Sequence, residues 1–230
     1  MIPLRDDNPS NSTPLITICL IAACVVTFLW QFSLGPVGGQ RAIFALGVIP
    51  AVLLGQRDLD PQLALVPPSM TILTSMFMHG GWMHLIGNML YLWIFGDNVE
   101  DSMGRSRFIA FYLLCGLAAV FAQALPDPSS TIPMVGASGA ISGVLGAYLL
   151  LFPHARVLIA IPLGFILHTT RIPAGIVLVL WFGLQLFSSV MTPSSQGGVA
   201  FGAHIGGFVA GMLLIPLFKR RTVRLRMPWQ

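Results

Sequence analysis

Six apolar stretches, none holding an Asp, Glu, Lys or Arg, constrain this chain more than any other feature of it. They are Leu15–Leu34, His79–Phe95, Phe108–Leu125, Met134–Phe152, Ile172–Met191 and Val199–Phe218. A hydrocarbon core takes roughly 20 residues of helix to cross, and a backbone inside it must satisfy its own hydrogen bonds. Pro14, Pro126, Pro133, Pro153, Pro173 and Pro193 punctuate the ends of the runs, where a missing N–H is tolerated. Only 9% of the chain is charged, against about 25% in a soluble domain, so a water-facing surface cannot be built from it. The expected fold class is an all-α membrane protein, a six-transmembrane-helix bundle. Leu15–Leu34 follows Arg5 but is too long for a typical signal-peptide core and no small-x-small cleavage site follows, so it is read as a span. Cys19, Cys24 and Cys115 lie in apolar stretches and read as core residues, not as a disulfide framework.

Orientation follows from the cations. With six spans and a cytoplasmic N-terminus, ten of the twelve fall inside: Arg5, Arg105, Arg107, Arg156, Arg171, Lys219, Arg220, Arg221, Arg224 and Arg226. Arg41 and Arg57 alone fall outside. The positive-inside rule therefore selects six spans over seven, and membrane topology accounts for the +4 net charge without nucleic acid. The domains expected are a cytoplasmic segment 1–14, a six-helix domain 15–218 and a basic cytoplasmic tail 219–230. The eleven-residue run Val157–Leu167 is too short to cross and is placed at the inner interface. The segment from Gly35 to Met78 carries its own apolar run, Ala42–Leu54, and is expected to fold onto the membrane or into the bundle.

Polar groups inside a bilayer are functional hypotheses by default. His84 and Asn88 are four apart on the second span and share a helix face. Ser138 opens the fourth span within Gly136-Ala137-Ser138-Gly139, and His204 opens the sixth within Gly202-Ala203-His204-Ile205-Gly206-Gly207. These three helices all run from outside to inside, so the polar groups meet at one depth near the outer face. Gly139 with Gly143, Gly202 with Gly206, and Gly207 with Gly211 give the small faces that let helices approach closely. Serine is a weak nucleophile until a base takes its proton, and His204 is the candidate base. With no carboxylate in the spans, the chemistry reads as a Ser–His dyad. His84, Asn88 and the Ser138 amide are the candidate oxyanion donors. His154 and His168 read as solvated groups at the inner interface, and His79 as a boundary residue.

The His-x-x-x-Asn, Gly-x-Ser-Gly and Ala-His-x-x-Gly motifs, in this order, resemble the three signatures of the rhomboid family of intramembrane serine proteases. The resemblance covers residues 70 to 218 and implies a six-helix rhomboid-like fold with a partly embedded first external loop. It implies Ser138 as nucleophile, His204 as base, and His84 with Asn88 as oxyanion donors. The implied substrates are single-span membrane proteins, cut in or near the bilayer of the cell membrane, with the site opening to the extracytoplasmic side. No metal or organic cofactor is implied, and the lipid bilayer is the expected surrounding.

Some family members carry Trp-Arg in the first external loop, where this chain has Gln56-Arg57. Some carry an aromatic four residues after the nucleophile, where this chain has Ser142. That leaves Gly202 or an apolar neighbour to orient His204. The fifth span, carrying no site residue, is the candidate gate. The alternative reading is a catalytically inactive rhomboid-like protein that binds membrane clients, although such relatives typically lose the serine or the histidine. Transporters commonly carry span carboxylates, and zinc proteases a His-Glu-x-x-His; this chain has neither.

Overall fold

A computed structural model describes residues 2–163, 166–191 and 198–226. The chain is predominantly helical: α1 (Leu15–Ser33), α2 (Gly35–Leu46), α3 (Pro50–Leu53), α4 (Pro68–Thr74), α5 (Trp82–Met103), α6 (Arg105–Ala124), α7 (Ser138–Leu151), α8 (Ala174–Met191) and α9 (Phe201–Phe218). Four of these, α1, α6, α8 and α9, are long and apolar enough to cross a membrane. The remaining two expected spans take a different form. α7 has 14 residues and at 1.5 Å per residue rises about 21 Å, short of a full crossing. Its first residue is Ser138; residues 134–136 approach it in a non-helical conformation and Ala137 makes the turn into the helix.

α5 begins at Trp82, three residues later than expected, and runs past Phe95 to Met103 through Asp97, Glu100 and Asp101. These carboxylates hold the N-terminal segment. Glu100 is buried and accepts bonds from the backbone N–H groups of Ile16 and Thr17, at 3.0 and 2.8 Å, and from the Thr17 hydroxyl at 2.8 Å. It thereby caps the first turn of α1, where helix N–H groups have no partner of their own and a negative charge is favoured. Asp101 accepts from Asn11 and Ser12.

The all-α expectation needs one correction. Ile2–Asp6 (β1), Arg156–Leu163 (β2) and Ile166–Pro173 (β3) form an antiparallel sheet in the order β1-β2-β3. Val157 and Ile159 are fully buried while Arg156 before them and Leu158 between them are not. This period of two is the signature of a half-buried strand. Within the run read as an interfacial segment, residues 157–163 therefore belong to β2 and residues 166–167 to β3, and residues 2–6 of the expected N-terminal segment pair with β2; residues 164–165 lie outside the described residues.

The core lies where α9 packs between α6 and α7. A Cβ on Gly207 would stand 1.9 Å from the Gly139 carbonyl oxygen, and one on Gly211 2.0 Å from that of Gly143. Backbone meets backbone there, which only glycine permits. Gly202 and Gly206 face α6 instead, against Gln123 and Ala122. The two glycine spacings of α9 thus serve two neighbours. The segment between α1 and α5 folds against the bundle, with Ala42, Ala45, Val48, Ile49 and Ala51 buried. Val48 pairs with Met134 and Ala51 N–H donates to Ser130 O at 3.0 Å, stitching this loop to the chain that leads into α7. Gln56 and Arg57 each donate a backbone N–H to Ala51 O; both are exposed.

Candidate active site

The three polar features expected to meet do so. His84 lies in the first turn of α5, Ser138 opens α7, and His204 lies in the first turn of α9. All three line one cavity of about 420 Å³, together with Asn88, Tyr91 and Trp181. The N-terminal ends of three helices therefore converge, and with them the N–H groups that a first turn leaves without helical partners.

The turn into α7 aims Ser138. Gly136 has φ +128°, a conformation that side-chain-bearing residues rarely adopt, and its N–H donates to Ser75 O at 2.9 Å. A Cβ on Gly136 would lie 2.7 Å from His84 Nε2 and 3.5 Å from Ser138 Oγ. His84 Nε2 and the serine hydroxyl therefore flank the same few ångströms of space. Which ring nitrogen of His84 carries the proton follows from its other contact. Gly80 N–H donates to His84 Nδ1 at 3.2 Å; a backbone N–H can only donate, so Nδ1 accepts and Nε2 bears the hydrogen. His84 thus presents a donor toward Ser138. Asn88 is buried, and its amide donates one bond to the His84 carbonyl at 2.9 Å. Among the described residues its second amide hydrogen has no acceptor, and Asn88 lines the cavity.

His204 is held from the opposite side. Its Nδ1 lies 2.8 Å from Gln185 Oε1, and its ring is 5.9 Å from that of Trp181 at an interplanar angle of 33°. Both partners sit on α8. Among the described residues no hydrogen bond joins Ser138 to His204. Ser142 does not reach the histidine. Its hydroxyl donates to the Ser138 carbonyl at 2.6 Å, and it is buried beside Gly207.

Sequence reasoning missed Gln185 and Trp181, because an apolar helix bearing one amide carries no motif. Their i, i+4 spacing on a helix facing the sixth span was the available signal. The premise that the fifth span carries no residue facing the site is thereby overturned. His154 and His168 are exposed, as the solvated reading requires. His79 is fully buried, with Nδ1 3.2 Å from Phe77 O and its ring 5.2 Å from that of His84.

Residues 68–221 match the rhomboid domain. The chain belongs to the rhomboid family. It is 30% identical over 181 residues to the mitochondrial Rhomboid protein 1 of Saccharomyces cerevisiae, covering 76% of this chain and 50% of that protein. It is 30% identical over 204 residues to Rhomboid protease GluP of Bacillus subtilis, covering 89% of this chain and 36% of that one. RHOMBOID-like protein 5 of Arabidopsis thaliana is 29% identical over 144 residues, covering 63% and 43% respectively. The matched stretch thus spans half or less of each of these relatives. Family and helices together make this rhomboid a multi-pass membrane protein.

Proposed function

We propose that this rhomboid is an intramembrane serine endopeptidase that cleaves single-span membrane proteins through a Ser138–His204 dyad and an acyl-enzyme. The observation that carries the reading is the shared cavity, in which a donor-bearing His84 and the Ser138 hydroxyl flank one space while His204 faces it from α9. Ser138 Oγ attacks the scissile carbonyl as its proton passes to His204 Nε2. Negative charge then develops on the carbonyl oxygen, where His84 Nε2–H, the free amide hydrogen of Asn88 and the Ser138 N–H are the donors. His204 returns the proton to the leaving amine, and water, activated by the same imidazole, releases the acyl group.

The accompanying arrangement is a six-span domain over residues 15–218, with α5 and the short α7 completing the four helices long and apolar enough to cross, α1, α6, α8 and α9. Both termini, the segment 1–14 and the basic tail 219–230, lie on the cytoplasmic side of the cell membrane, and the cavity opens to the other side. Supporting this, the cation-rich ends meet at one end of the bundle: Arg220 N–H donates to Ser102 O at 2.9 Å, and Arg226 N–H to Leu150 O at 2.7 Å. Ser138, His84 and His204 stand at the opposite ends of their helices.

The test is cleavage of a reconstituted single-span substrate, with fluorophosphonate labelling as a second readout. Wild type is expected to cleave and to be labelled at Ser138; Ser138→Ala and His204→Ala are expected to lose cleavage while keeping the wild-type melting temperature. Full cleavage by folded Ser138→Ala would remove the serine mechanism. Absence of both cleavage and labelling in the wild type would favour a client-binding, inactive rhomboid.

A further inference from the structure

We infer that Gln185 is a positioning residue: by accepting the Nδ1–H of His204 it fixes the tautomer and ring orientation that leave Nε2 free to take the Ser138 proton. The inference rests on the serine-protease reading above and goes beyond it, since no part of the dyad chemistry names what stands behind the histidine.

A neutral imidazole is a base only through its unprotonated nitrogen. The 2.8 Å contact of Nδ1 with Gln185 Oε1 requires the proton on Nδ1, so Nε2 carries the lone pair. The opposite amide orientation would donate to Nδ1 and leave Nε2 protonated, with nothing to accept from Ser138. Histidines that perform chemistry are commonly fixed in this way by the partner of their other nitrogen. A carboxylate would do the same, but an ionised group in this apolar surrounding is costly without a partner. An amide supplies the acceptor and adds no charge.

The rest of α8 holds that geometry. Trp181, one turn before Gln185, covers the imidazole. Phe182 stacks on Phe208, one turn beyond His204, with ring centroids 4.5 Å apart at 22°. One strip of α8 thus grips two successive turns of α9. Ser142, at the position where some family members carry an aromatic, is turned onto the α7 backbone. His204 is therefore oriented from α8 and not by Ser142 of α7.

The experiment compares wild type, Gln185→Leu and Gln185→Glu in proteoliposomes. It measures kcat, KM and fluorophosphonate labelling across pH, and ¹⁵N spectra of histidine-labelled protein with the His204 signal assigned by its loss in His204→Ala. Gln185→Leu is expected to lower kcat about tenfold, the worth of one neutral hydrogen bond, with KM unchanged, and to abolish the Nδ1–H preference. Gln185→Glu is expected to keep that tautomer and to move the acidic limb of the kcat/KM profile to higher pH, because a carboxylate favours the imidazolium. A merely structural glutamine would change the melting temperature and leave the pH profile in place. Wild-type kcat and profile in Gln185→Leu, or an Nε2–H His204 in the wild type, overturn the inference and leave the protease reading standing. Should the Leu variant not fold, an unmoved acidic limb in Gln185→Glu overturns it. A wild type that neither cleaves nor labels overturns the protease reading instead, and the ¹⁵N spectrum still decides the tautomer.

Discussion

Replacing Gly207 by alanine adds a single methyl at the tightest point between α7 and α9. That methyl carbon would stand 1.9 Å from the Gly139 carbonyl oxygen, whereas a close carbon–oxygen contact is about 3.3 Å. The atom it meets is backbone, so no rotamer relieves the clash and the helices must part by about 1.4 Å. Gly139 follows Ser138, and Gly207 lies one turn beyond His204, so the displacement reaches both members of the proposed dyad. Overpacking of this kind costs about 1–3 kcal/mol of stability, and a 1 Å misplacement of reacting groups costs about 100-fold in rate. The expected outcome is a folded protein with a lowered melting temperature and turnover reduced about 100-fold, measured on a reconstituted substrate with KM little changed. Gly183→Ala is the control: a Cβ there meets no atom within 4 Å, and the helix loses a poor helix former. Wild-type stability and turnover in Gly207→Ala would refute the idea that this backbone contact sets the distance between Ser138 and His204.

Gly136→Ala is expected to cost turnover by a different route, since the positive φ disfavours alanine and its Cβ would fall 2.7 Å from His84 Nε2; unchanged kcat would separate that turn from the site. Asn88→Ala should lower kcat less than loss of the nucleophile does, because other oxyanion donors remain, and identical kinetics would remove it from the site. Glu100→Ala strips three hydrogen bonds from the start of α1 and is expected to destabilise the fold by about 3 kcal/mol, with Glu100→Gln intermediate by thermal melting. Asp6 is pushed up to about 6 from the ordinary 3.8, chiefly by burial, with Asp97 and Asp7 adding repulsion and the Tyr148 hydroxyl bond opposing. Its contribution to stability is full below 3.8 and lost as pH rises through 6. Asp6→Asn should therefore melt above wild type at pH 8 and converge with it near pH 4, and a pH-independent difference would contradict the assignment.

The helical spans were legible because continuous apolar length is a signal that needs no tertiary context. The sheet was not, although Val157 and Ile159 alternate with less buried residues. A short apolar run offers helix and strand on equal terms, and the partner that settles the choice, Ile2–Asp6, lies about 150 residues away in the chain. The C-terminal end of α5 was hidden for a related reason. Asp97, Glu100 and Asp101 look like the end of a span when counted by hydropathy. The partners of Glu100 and Asp101 are the N–H and hydroxyl groups of residues 11 to 17, which make these carboxylates part of a continuous helix.

At the candidate site, the polar residues that line the cavity were legible and those that orient them were not. Ser138, His84 and His204 announce themselves because a polar group in an apolar helix has few other uses. The tautomer of each histidine depends instead on partners with no motif. For His84 the partner is the Gly80 N–H, which puts the proton on Nε2. For His204 it is the Gln185 oxygen, 2.8 Å from Nδ1, which in the proposed tautomer keeps the proton on Nδ1 and leaves Nε2 free. The same side chain is thereby set as donor on α5 and as acceptor on α9, across one cavity. An oxyanion donor and a general base are the two opposite roles an acyl transfer requires. Neutral partners suffice to distinguish them, so the absence of charge from the long apolar runs is compatible with acid–base chemistry within them.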